Sequence, residues 1–168
     1  PLPPCAHGPL PFEAPLQPHC EAVREAQWQA ALDTWVRSHA DRAGIQSYPA
    51  VIDGRALDAP PGAQLDAVLD AARRFRARHA ALASLTLLLP RPAARLPWEL
   101  AGDAEAARML VATLAAEWGA HGLRINALEL QPGLAPDSCL PLLGYLAGAR
   151  AQFLTGQVLR PGAGAAER

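Results

Sequence analysis

The sequence predicts an α/β fold in which short apolar strands alternate with amphipathic helices around a parallel sheet. Two patterns carry this. Ser84-Leu85-Thr86-Leu87-Leu88-Leu89 and Leu123 to Leu130 are nearly continuous apolar runs, as expected of strands covered on both faces. Between such runs lie stretches of ten to fifteen or more residues with apolar positions three and four apart, the spacing of a helix with one buried face. Alternation of the two argues for βαβ units.

Residues 1–18 are rich in proline and show neither period, which predicts an irregular arm. From His19 to Arg42, Val23, Trp28, Ala31, Leu32, Trp35 and Val36 recur at helical spacing, with Gly44 as the stop. Tyr48 to Ile52 reads as a short buried strand closed by the turn pair Asp53-Gly54. A second helix, Ala63 to Ala81, turns Leu65, Val68, Leu69, Ala72, Phe75 and His79 to one side and Arg73, Arg74, Arg76 and Arg78 mostly to the other, a solvated basic face. After the Ser84–Leu89 strand a third helix spans Asp103 to Gly119, with Ala107, Leu110, Val111, Leu114 and Trp118 on one stripe. Asp103 suits its N-cap or first turn. The strand Leu123–Leu130, a helix Pro141–Ala151 and a last strand Gln157–Arg160 complete a domain over 19–162, and 163–168 form a flexible Gly/Ala-rich tail.

Composition narrows the function. The chain has 168 residues and a net charge of −1, so it lacks the basic footprint of a nucleic-acid or anionic-membrane partner. No apolar run reaches the roughly 20 residues of a membrane-spanning helix, and the N-terminal stretch does not read as a signal peptide; a cytoplasmic protein is expected. Abundant Ala, Arg and Pro with no Lys suggest a bacterial source. Cys5, Cys20 and Cys139 are too few for a disulfide framework. Cys5, His7, His19 and Cys20 could supply four zinc ligands, but adjacent His19 and Cys20 do not match a finger spacing, and no metal is expected.

Leu114-Ala115-Ala116-Glu117, the loop to Gly122, Leu123-Arg124-Ile125-Asn126 and Pro132-Gly133 resemble, in that order, the stretch that follows the catalytic helix in short-chain dehydrogenases/reductases. Tyr145-Leu146-Ala147 and Phe153 to Leu159 are similar to that family's closing helix and last strand. The resemblance covers about the last seventy residues. It implies a Rossmann-like sheet reduced to the family's fourth to seventh strands, in a chain shorter than an ordinary member, with the dinucleotide-binding half largely missing.

The resemblance also implies where catalysis should reside. The family's Tyr falls on Leu100 and its Lys on Ala104, while its Ser falls at the Leu87-Leu88-Leu89-Pro90 strand end. None of these can move a proton. A Gly-rich turn that would hold a pyrophosphate at a helix N-terminus is also absent from the first hundred residues. Catalysis and cofactor binding are therefore not expected, and the implied member is a pseudoenzyme.

What remains is the family's assembly surface. The expected function is a noncatalytic subunit that pairs with a full-length dehydrogenase/reductase, or with itself, through Leu110, Leu114, Trp118, Tyr145 and Phe153. Trp28, Trp35 and Trp98 are further candidate anchors. The alternative is a homo-oligomeric module binding a small acyl or CoA-type ligand at the vacant sheet end, with Arg55 and Arg95 as anion contacts. A third reading relocates catalysis to Glu129 with His121, and Glu129 itself is expected to reach the open end of the sheet.

Overall fold

The computed structural model describes residues 16–21, 26–40 and 48–162. Five strands form one parallel sheet in the order β1-β2-β3-β4-β5: β1 Leu16–Glu21, β2 Tyr48–Asp53, β3 Ser84–Pro90, β4 Arg124–Leu130 and β5 Val158–Leu159. Four α-helices connect them: α1 Ala26–Ala40, α2 Gln64–Arg78, α3 Trp98–Trp118 and α4 Leu140–Ala147. No helix among the described residues is long and apolar enough to cross a membrane.

The expected four strands are thus five. Leu16, Gln17 and Pro18, assigned to an irregular arm, and His19 to Glu21, assigned to the first helix, together form β1, which pairs in parallel with β2. Gln17, His19 and Glu21 alternate with Pro18 and Cys20, a polar/apolar period of two hidden by the surrounding prolines. Pro18 is compatible with β1 because β1 is an edge strand, where a missing N–H need not break a ladder. The remaining predicted elements appear at their expected places, with α3 starting five residues before Asp103.

Strand alternation sorts the core into two layers. Val51, Leu85, Leu87, Leu89, Ile125 and Ala127 face α2 and α3, which contribute Val68, Ala72, Phe75, Ala107, Val111 and Trp118. On the other face, Ala50, Ile52, Leu88, Leu128 and Leu130 meet Trp28, Leu32 and Trp35 of α1 and Leu143, Leu146 and Ala147 of α4. Trp35 lies against Gly144, where an added Cβ would stand 3.6 Å from its indole nitrogen.

These layers fix the hand of the connections. Every crossover steps to the next strand in the same direction, yet α2 and α3 cover one face while α1 and α4 cover the other. The β1–α1–β2 and β4–α4–β5 units therefore have the opposite hand to β2–α2–β3 and β3–α3–β4. Parallel crossovers are right-handed in about 98% of cases, so two of these four depart from the rule.

Two glycines act at the C-terminal end of α3. Gly122, at φ +64°, closes the 3₁₀ turn after α3 and redirects the chain into β4. Gly156, at φ +75°, brings the chain before β5 onto α3: a Cβ there would lie 3.0 Å from the Ala115 Cβ.

Candidate functional site

In open α/β sheets, ligands bind beyond the carboxyl ends of the strands. Here that end is filled by the chain's own charges. β1 and β2 run in register so that Glu21 lies beside Asp53, both on the α2 face. Asp53 is 2% exposed and the Glu21 side chain 10%, so neither carboxylate is hydrated as in water.

Arg55 neutralises both. Its Nη1 donates to Asp53 Oδ2 at 2.9 Å and its Nη2 to Glu21 Oε2 at 2.6 Å, while its backbone N–H donates to Asp53 Oδ1 at 2.9 Å. Arg78, from the end of α2, also pairs with Glu21, and the exposed His19 ring lies 3.4 Å from it. Burial raises the Asp53 pKa above its ordinary value, opposed by the Arg55 backbone hydrogen bond and guanidinium. In the ligand-binding alternative Arg55 is a contact for a ligand anion. It is committed instead to two buried carboxylates.

The middle of the sheet end is closed by apolar residues and backbone pairing. Leu89 is buried, and Arg91 N–H donates to the Leu130 carbonyl at 2.8 Å, joining the chain segments that leave β3 and β4. On α3, Ala104 is buried and Leu100 is half-buried against Gly62. Both positions lack an acid or base. Arg95 is exposed.

Asp103 corrects its assignment. It lies in the second turn of α3 and caps the neighbouring α2, accepting from the Gln64 N–H at 2.9 Å and the Leu65 N–H at 3.3 Å. Helix α2 has no side-chain cap from its own preceding residue, Ala63, so this contact supplies partners for its first amides. Asp103→Ala is expected to cost about 1 kcal/mol, read as a lower urea midpoint with an unchanged slope.

Glu129 does not reach an open sheet end. It is 1% exposed on the α2/α3 face and sits between two cations, Arg108 of α3 and Arg160 beyond β5. Arg160 Nε donates to Oε2 at 2.7 Å, and Arg108 also meets Glu105. Pairing with His121 is ruled out by the strand itself: His121 precedes β4 and Glu129 is near its far end, a separation of roughly 20 Å at 3.3 Å per residue. Neither oxygen of Glu129 is left for a substrate.

A cavity of about 490 Å³ opens beside this end, between the loop after β2 and α2. Asp58, Asp66 and Asp70 line it together with Arg55 and Arg73. Three carboxylates make it a poor receptor for the phosphates of a CoA-type ligand.

Of the four candidate metal ligands the structure describes two, His19 and Cys20. Cys5 and His7 lie outside the described residues. His19 and Cys20 are successive residues of β1, so their side chains point to opposite faces of the sheet. Among the described residues no group of three His, Cys, Asp or Glu could hold a metal ion.

Nucleophilic chemistry at the two described cysteines is also disfavoured. Burial, with Asp33 nearby, pushes the Cys20 thiol up to about 12. At pH 8 its thiolate fraction is then about one in ten thousand. Burial raises Cys139 as well, against a contact with Ser138. Both thiols are expected to resist iodoacetamide at pH 8 until the chain is unfolded, as mass spectrometry of the labelled peptides would show.

The expected assembly residues divide into two groups. Trp118 is 5% exposed and stacks on Phe75 with ring centroids 5.7 Å apart, so in the single chain it is largely core. Its truncation would damage the fold before it reported on association. Trp28 and Trp35 are core as well. Trp98, Tyr145 and Phe153 are exposed, at 81%, 48% and 79%, while Leu110 and Leu114 are half-buried on α3. Met109, 71% exposed on α3, was not singled out by sequence because its position falls off the helix's apolar stripe.

No protein-family profile matches the sequence, and no curated protein matches it. Among solved structures, the chain is similar to short-chain dehydrogenases/reductases. A short-chain dehydrogenase/reductase from Serratia marcescens shares 17% identity and a TM-score of 0.48, with 87% of this chain and 96% of that one covered. One from Brucella ovis, solved with a partially ordered NAD, gives 16%, 0.48, 82% and 74% in the same order. The promiscuous reductase LugOII, of lugdunomycin biosynthesis, gives 13%, 0.48, 89% and 84%. Likeness of this degree says nothing of activity, substrate or cofactor.

Proposed function

We propose that this chain is a noncatalytic subunit on the short-chain dehydrogenase/reductase plan, which assembles with an active dehydrogenase/reductase and stabilises or regulates it. The observation that carries this reading is the state of the sheet's carboxyl end. Glu21 and Asp53 meet Arg55 where a nucleotide would otherwise enter, and Glu129 is enclosed by Arg108 and Arg160. A pyrophosphate placed there would have to displace buried ion pairs and face their carboxylates. No glycine lies between Glu21 and Ala26 to let a phosphate approach the backbone. Leu100 and Ala104, at the positions that the sequence resemblance gives to the family's Tyr and Lys, have no proton to move.

The alternative, a module for acyl or CoA-type ligands, has less behind it, because Arg55 is engaged and the adjacent cavity is lined by three aspartates. Affinity capture of the tagged full chain from its native host, followed by mass spectrometry and light scattering, tests the leading reading. A stoichiometric complex with a full-length dehydrogenase/reductase is expected, with the partner's activity or thermal stability altered when the chain is removed. A clean homo-oligomer with no partner would overturn it.

A further inference from the structure

The cavity of about 490 Å³ between the loop after β2 and α2 carries charges of both signs, and they differ in what they meet. Arg55 is held by Glu21 and Asp53, and Asp70 pairs with Arg74 at 3.5 Å. Asp66 and Arg73, both exposed, form no hydrogen bond or ion pair among the described residues. They lie seven residues apart on α2, about two helical turns, so they stand on one face of the helix at a separation of about 10 Å. That is too far for the two to neutralise each other. Between them the wall is apolar, formed by Ala67 and Leu69 of α2 with Pro60 of the facing loop.

We infer that this cavity binds a small linear zwitterion of the ω-amino-acid type, with its ammonium on Asp66, its carboxylate on Arg73 and its methylene chain along Ala67, Leu69 and Pro60. An unpaired anion and an unpaired cation at opposite ends of an apolar wall complement a ligand of reverse polarity and matching length. Asp58, on the loop wall, adds a further carboxylate, which favours ligands that bring an amine over those that carry only acids. Binding here requires no second subunit, so its outcome leaves the reading of the chain as a noncatalytic subunit untouched.

Isothermal titration calorimetry of the full chain with ω-aminooctanoic acid, whose extended length matches the separation of Asp66 and Arg73, tests this against octylamine and octanoic acid. The amino acid is expected to bind about fivefold tighter than either singly charged analogue, the scale of one exposed ion pair, and to weaken with added salt. γ-Aminobutyric acid is too short to reach both charges and should show no such gain. Asp66→Asn and Arg73→Gln should each lower the affinity for ω-aminooctanoic acid about fivefold, Asp66→Asn by removing the preference over octanoic acid and Arg73→Gln by removing the preference over octylamine. Both positions are exposed, and an unchanged thermal midpoint would show that each variant folds. No binding of ω-aminooctanoic acid, equal affinity for it and its two analogues, or a preference that either variant leaves unchanged would overturn the inference.

Discussion

Arg124→Met is expected to lower stability by about 4 kcal/mol or more, enough to move the thermal midpoint by roughly 10 °C in a chain of this size. Arg124 is 3% exposed at the start of β4 and has no carboxylate partner among the described residues. Its five N–H donors are matched by five neutral acceptors. Nε donates to the Tyr48 hydroxyl at 3.0 Å, Nη1 to the carbonyls of Leu146 and Ala151, and Nη2 to those of Ala147 and Gly148.

These carbonyls belong to the end of α4 and the turn after it, where a helix leaves acceptors without partners and concentrates negative partial charge. Burial raises the Tyr48 phenol above its ordinary value, against the pull of Arg124, so it remains an uncharged hydroxyl at neutral pH. The guanidinium is thus stabilised by dipoles, and its removal strands several buried acceptors at once. Arg124→Lys keeps the charge but only three donors and should recover less than half of the loss. Urea unfolding of the two variants measures this; a Met variant with a wild-type midpoint would mean that water replaces the guanidinium.

The central part of this fold was legible in the sequence because its signals are local. β3 and β4 are covered on both faces and read as apolar runs, while α2 and α3 carry clear helical periods. β1 was missed because Pro15 and Pro18 mark a break to any local reading, and only pairing with β2 makes an edge strand of Leu16–Glu21. The role of Asp103 was illegible for a related reason: it caps a helix 39 residues earlier in the chain, and no window around Asp103 contains Gln64.

The candidate site was readable as a set of losses and not as what replaced them. Leu100 and Ala104 lack the proton-transfer groups whatever surrounds them. That Arg55 would be drawn into a pair with Glu21 and Asp53 depends on β1 lying beside β2, which is the element the sequence concealed. Glu129 is a similar case. Its chain neighbours Leu128 and Leu130 are apolar, and the two cations that make its burial tolerable come from α3 and from beyond β5.

That enclosure gives the second large effect: Glu129→Ala is expected to cost about 3 kcal/mol. Breaking a buried pair by removing one partner leaves the other charge uncompensated, typically at 3–5 kcal/mol. The lower end applies because Arg160 is 57% exposed and can return to water, and because Arg108 keeps its contact with Glu105. Arg108, only 13% exposed against α3 and β4, carries most of the penalty. Replacing Glu129 and Arg108 together by Leu should therefore restore a good part of what the single change removes, a coupling that a double-mutant cycle in urea reads directly. Additive losses would show that Arg108 escapes to solvent when Glu129 is gone. A recovered, cooperative double variant would show that the pair fills the space between α3 and the sheet end, and that apolar side chains of similar volume serve the same purpose there.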